Sequence, residues 1–116
     1  MNALKNRGGV GMVLLDAKIL ASIPEYGCEL GRDPIVFLKL FTVTGWAWYV
    51  LSVDRKQLIA YCYVTASGDL PNEGEFGTID LNELANLTFF GGALGVERSL
   101  GWNPMKLSEL KGGRHE

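Results

Sequence analysis

Asp33-Pro34-Ile35-Val36-Phe37-Leu38-Lys39-Leu40-Phe41-Thr42 and, three residues further on, Trp46-Ala47-Trp48-Tyr49-Val50 decide the fold. Both runs are rich in branched aliphatic and aromatic residues, which suit a pleated, largely buried surface. Residues 34–42 alternate Val36, Leu38 and Leu40 against Ile35, Phe37, Lys39 and Phe41, the period of two that a strand imposes. Residues 45–53 set Trp46, Trp48 and Val50 against Ala47, Tyr49, Leu51 and Val53. Residues 58–65 set Leu58, Ala60, Cys62 and Val64 against Ile59, Tyr61, Tyr63 and Thr65. The links Val43-Thr44-Gly45 and Asp54-Arg55-Lys56-Gln57 are short, so consecutive strands pair as an antiparallel meander.

Working outward, Asp16 caps a short helix over residues 16–23, with Leu15, Ile19, Leu20 and Ile23 at helical spacing and Pro24 ending it. Residues 67–74 form a polar loop, and residues 75–79 add a fourth strand. Asp80-Leu81-Asn82-Glu83 follows capping-box logic and starts a helix through Leu87. Phe89-Phe90-Gly91-Gly92 is a bend, and residues 96–102 supply a last edge strand. Pro104 sits where helices begin and leads residues 105–110. The expected fold class is α+β: a four- to five-stranded antiparallel meander with two or three short helices mainly on one face. Residues 1–11 read as a flexible extension, 12–110 as a single domain and 111–116 as a disordered tail.

The chain has 116 residues, 47% hydrophobic and 21% charged, which is the composition of one folded domain burying about 65% of its unfolded surface. A net charge of −2 gives no overall field toward nucleic acid or anionic lipid, and falls far short of an acidic DNA mimic. No apolar run approaches the ~20 residues that span a bilayer, and residues 1–11 lack the apolar core of a signal peptide. Cys28 and Cys62 fit no metal motif. A bridge between them stays open, but a lone bridge is not the pattern of a secreted scaffold, so reduced thiols and a cytoplasmic setting are expected.

The chemistry the sequence can support is narrow. His115 is the sole histidine and falls in the tail, which removes Ser-His-Asp and Cys-His arrangements and most zinc or iron sites. Gly91-Gly92-Ala93-Leu94-Gly95 lacks the lysine and the strand–turn–helix setting of a phosphate loop. Asp69, Glu73 and Glu75 share a loop but not the spacing of a calcium hand, and read as a solvated acidic segment. No catalytic residue, cofactor or metal ligand is therefore assigned. Arg32 with Asp33, and Glu97 with Arg98, flank the first and last strands; they read first as surface salt bridges and second as the rim of a ligand or nucleotide pocket near Trp46 or Tyr49.

The order Ile23-Pro24, Asp33-Pro34-Ile35-Val36, Lys39-x-Phe41-Thr42, Trp46-x-Trp48-Tyr49-Val50, Asp54, Gly77-x-Ile79-x-Leu81-x-Glu83-Leu84, Val96-Glu97-Arg98 and Pro104-x-x-Leu107-Ser108-Glu109-Leu110 closely resembles a small bacterial family, domain of unknown function 2958. The likeness spans residues 12–110. Two departures stand out: family members begin near the position of Met12, and Ser99 replaces the acid that usually follows Glu-Arg. The resemblance implies no established activity. It implies a setting among phages, plasmids and integrated elements, sometimes near antirestriction genes.

The aromatics carry the functional expectation. Trp46, Trp48, Tyr49, Tyr61 and Tyr63 fall on adjacent strands. Cross-strand ring pairs stabilise sheets, so some of these rings are core. With helices on one face, the rest remain as a surface suited to a protein partner, for which Tyr and Trp are enriched. Base stacking ranks well behind, because only Lys39, Arg55 and Lys56 flank the strands. The expected function is thus a non-enzymatic interaction protein of a mobile element, binding a host defence complex; a homodimer through the same surface is a weaker alternative.

Overall fold

Among residues 3–9 and 11–112, which the structure (a computed structural model) describes, the fold is α+β. The chain begins with β1 (Leu4–Lys5), β2 (Val13–Leu15) and α1 (Ala17–Ala21). It continues with β3 (Ile35–Val36), β4 (Leu38–Phe41), β5 (Ala47–Asp54), β6 (Ile59–Thr65), β7 (Glu75–Asp80) and α2 (Leu81–Asn86). It ends with β8 (Thr88–Phe89), β9 (Leu94–Gly95), β10 (Glu97–Arg98), β11 (Met105–Lys106) and α3 (Leu107–Gly112). The meander β4–β5–β6–β7 forms as the short links require, and β10 adds to its other side. The result is a five-stranded antiparallel sheet in the order β10-β4-β5-β6-β7.

Both faces of this sheet are covered. One face carries Leu38, Leu40, Trp48, Val50, Val53, Ala60 and Cys62, packed by Leu14, Leu15 and Leu20 and by Leu81, Leu84 and Ala85 of α2. The other carries Tyr49, Leu51 and Tyr63, packed by Val36 and by Leu107 and Leu110 of α3. Both expected caps form: the Asp16 carboxylate accepts from the Ile19 N–H at 2.9 Å, and Asp80 accepts from the Asn82 N–H at 2.8 Å and the Glu83 N–H at 3.3 Å. The return bond from the Glu83 side chain that a capping box adds is absent among the described residues. Without these acceptors the first turns of two helices only five and six residues long would hold orphan N–H groups.

Strict alternation fails at two places, each for a local reason. Residues 34–42 are not one strand. The Phe37 N–H donates to the Val50 carbonyl at 2.9 Å, and the chain turns over there, so Val36 and Leu38 enter opposite cores. β3 leaves the main sheet to pair with β11. Residues 105–110, expected as a helix led by Pro104, accordingly start as that strand and become helical only at Leu107. The second break is a bulge in β5, where Val50 faces Cys62 and the next partnered residue, Ser52, faces Tyr61. The extra residue, Leu51, shifts the phase, so Val53 joins the Trp48 face rather than the Tyr49 face.

Described residues of the expected extension and tail take part in secondary structure. Within the expected flexible extension, Leu4 pairs with Leu15, and the Arg7 N–H donates to the Ala85 carbonyl at 2.7 Å. Gly8 passes so close to β9 that a Cβ would lie 2.2 Å from the Leu94 carbonyl oxygen. Lys111 and Gly112, expected in the tail, complete α3. Residues 113–116, with His115, lie outside the described residues. The expected edge strand over 96–102 shrinks to β10; beyond it the Trp102 indole donates to the Val36 carbonyl at 3.1 Å.

Candidate docking surface on the outer strand

The five rings singled out in the sequence have separate fates. Trp48, Tyr49 and Tyr63 are buried, with 7%, 6% and 1% of their surface exposed. The expectation of one open aromatic face is corrected for these three: α3 and the Leu30 and Trp102 segments cover the face that was expected to stay bare. Trp46 is 41% exposed and stacks on Trp48 with ring centroids 6.2 Å apart, while Tyr61 is half-buried. Burial raises the Tyr49 hydroxyl pKa above its ordinary value.

Two exposed rings that sequence reading missed extend the surface. Tyr26 lies 6.1 Å from Tyr61, and Phe76 of β7 stacks on Tyr61 at 6.0 Å and meets the Tyr63 edge at 5.3 Å. Tyr26 and Phe76 are 45% and 49% exposed. Phe76 had a signal: it is the lone ring in an otherwise polar segment, Glu75-Phe76-Gly77-Thr78, at the end of a meander, where one side of the strand has no neighbour.

That free side can be traced from one hydrogen bond. The Thr42 N–H donates to the Trp46 carbonyl, so position 46 points its backbone toward β4. In an antiparallel ladder successive residues point alternately to either neighbour. Hence Tyr49 points toward β6, its partner Tyr63 toward β5, and Cys62 and Val64 toward β7. Their partners Gly77 and Glu75 point inward, which leaves the N–H and C=O of Phe76 and Thr78 directed away from the sheet. Among the described residues, no backbone bond outside the ladders involves either residue. The opposite border is shorter and already engaged: the outward N–H of Arg98 in the two-residue β10 donates to Met12 Sδ at 3.1 Å, and Arg98 Nε donates to the Val13 carbonyl of β2 at 3.2 Å.

A cleft lies on each side of β7. One, about 350 Å³, is lined by Trp46, Val64, Asp69, Glu73, Glu75 and Phe76, with no basic residue in its wall. The other, about 630 Å³, is lined by Arg32, Asp33, Phe76, Leu107, Ser108 and Lys111. Lys111 Nζ also sits 5.3 Å over the Tyr63 ring.

The two charged pairs expected at the strand ends do not come together. Asp33 accepts from the Ser108 hydroxyl at 2.6 Å and from the Ser108 N–H at 2.9 Å, and these bonds hold its carboxyl below the ordinary value of 3.8. Glu97 lines a separate cleft with Asn6 and Met12. Neither expected salt bridge forms among the described residues; the ion pair there is Arg55 with Glu25, at 2.5 Å. Asp69, Glu73 and Glu75 share a cleft wall, yet no three metal-ligating side chains converge among the described residues. Cys62 is buried on the Trp48 face, while exposed Cys28 borders a cleft with Ser52 and Tyr61 on the other; both thiols are free.

Among the described residues no helix is long and apolar enough to cross a membrane. Fold and surface together define a small α+β protein with an open outer strand flanked by rings. Comparison with family models, curated proteins and solved structures finds no match to this chain.

Proposed function

We propose that this chain is a non-enzymatic cytoplasmic interaction protein of a phage or other mobile element, which binds a host defence complex in the manner of an antirestriction or anti-CRISPR protein. The mobile setting comes from the ordered motifs that resemble domain of unknown function 2958. One observation carries the docking role: Tyr26, Tyr61 and Phe76 stand in series at 6.1 and 6.0 Å, with both outer rings about half exposed. Rings placed this way bury large area at small entropic cost and are the usual anchors of a protein interface. Trp46 adds a second anchor across the acidic cleft.

The test is phage plating on cells with an active restriction or CRISPR system. Expression of the full chain raises plating efficiency, and a Trp46→Ser/Phe76→Ser double variant that remains cooperatively folded at the assay temperature abolishes the rise and loses one partner in capture from lysate. Equal protection by both proteins removes the docking role from these rings.

A second reading rests on the larger cleft. Arg32 and Lys111 bring two cations beside the Phe76 ring, a set suited to a nucleotide or another aromatic anion. A thermal-shift screen against nucleotides checks it: a ligand that raises Tm for wild type and not for Arg32→Ala supports it, and no shift removes it.

A further inference from the structure

We infer that the outer side of β7 accepts an extended, basic segment of a protein partner as a sixth strand. The inference deepens the docking reading and rests on it. Phe76 and Thr78 direct four backbone groups away from β6, and strand addition satisfies such groups in alternate register. At the other border, β10 is only two residues long and the Arg98 N–H is taken by Met12 Sδ, so the six-residue β7 offers the longer open edge.

Charge selects the occupant. β7 begins with Glu75 and ends with Asp80, Glu73 precedes it, and the cleft beside it holds Asp69 and Trp46 without a base. No carboxylate of this group forms an ion pair among the described residues. An incoming strand with Lys or Arg at alternate positions sets those side chains against Glu73, Glu75 and the face of Trp46. Its other positions fall beside Phe76, where an apolar side chain continues the ring series. A second copy of this chain would instead bring the same acids against themselves, with no base on either β7.

The experiment uses the full chain and a synthetic peptide, Lys-Val-Arg-Val-Lys-Val, with amide hydrogen exchange as the readout. The Phe76 and Thr78 amides exchange rapidly in the free chain and slow at least tenfold under saturating peptide. The same peptide N-methylated at alternate amides, and its Glu-for-Lys/Arg counterpart, bind at least tenfold more weakly. Thr78→Pro removes one outward N–H and no bond to β6; it keeps the fold and loses the peptide. Unchanged exchange at both amides, equal binding of the N-methylated peptide, or protection that grows with concentration of the chain alone each overturns the inference. Partner capture separates the two levels. A partner kept by Thr78→Pro but lost by Trp46→Ser/Phe76→Ser removes strand addition and leaves docking. A partner kept by both variants removes docking as well.

Discussion

The Gly74 N–H donates to the Tyr63 phenolic oxygen at 2.8 Å, and the same hydroxyl donates to the Pro71 carbonyl at 2.6 Å. One ring on β6 thereby fixes the loop that delivers β7 to the edge of the sheet. A Cβ on Gly74 would lie 2.5 Å from the Val64 carbonyl oxygen and 2.8 Å from the Tyr63 ring, so the close approach demands glycine. Tyr63→Phe leaves a partly buried N–H without an acceptor and is expected to cost about 1–3 kcal/mol in urea unfolding. Gly74→Ala is expected to cost more, because backbone must move. A loss under about 0.5 kcal/mol for Tyr63→Phe would show that the loop holds without this bond.

Two neighbouring tryptophans on one face separate surface from core. Trp48→Ala empties a buried site and is expected to destabilise by about 3–5 kcal/mol. Trp46, 41% exposed and stacked on Trp48 alone among the rings, is expected to cost under about 1.5 kcal/mol when truncated, the size of one ring pair. Paired denaturation curves check the contrast. Equal losses would mean that Trp46 serves the fold rather than a partner.

The legible part of this fold is the part governed by local rules. Short links made the meander, Asp16 and Asp80 announced their helices, and the apolar runs marked β4 to β6. Long-range pairing decided the rest. Nothing near Phe37 signals that β3 will turn away to pair with Met105 and Lys106, seventy residues distant in sequence, and one added residue at Leu51 inverts every face assignment after it. The candidate surface suffered from the same cause. Tyr49 and Tyr63 alternate as surface residues would, and only the arrival of α3 makes them core. Tyr26 sits in a loop whose bridge to Val53 has no sequence signature, so its place beside Tyr61 could not be read.

Asp33 links the start of β3 to α3 through Ser108, and it defines an acid window. Its folded pKa is below 3.8, so its contribution to stability is complete above that value and fades as pH falls through the folded pKa. Wild type is therefore expected to lose stability more steeply below about pH 4 than Asp33→Asn, which accepts from Ser108 but carries no titrating proton. Thermal melts from pH 2.5 to 6 test this. Parallel curves for the two proteins would show that the Ser108 bonds do not persist in solution.

Cys62 defines the window at the alkaline end. Burial raises its thiol from 9.0 to about 12, since a thiolate enclosed in the apolar core on the Trp48 face would lose its hydration. A raised folded pKa contributes stability that is full below pH 9.0 and is lost as pH climbs toward about 12, because the unfolded chain ionises first. Cys62→Ala is expected to cost about 1 kcal/mol at neutral pH, the loss of a small buried group, and to flatten the alkaline limb. The two thiols also lie on opposite faces of the sheet, which keeps them from forming a bridge. A thiol reagent at pH 8 should label exposed Cys28 in the native protein, while Cys62 should react only at the rate of global unfolding. Labelling of both cysteines at one rate would place Cys62 in a region that opens locally, and would loosen the packing that carries β7 and its neighbours on that face.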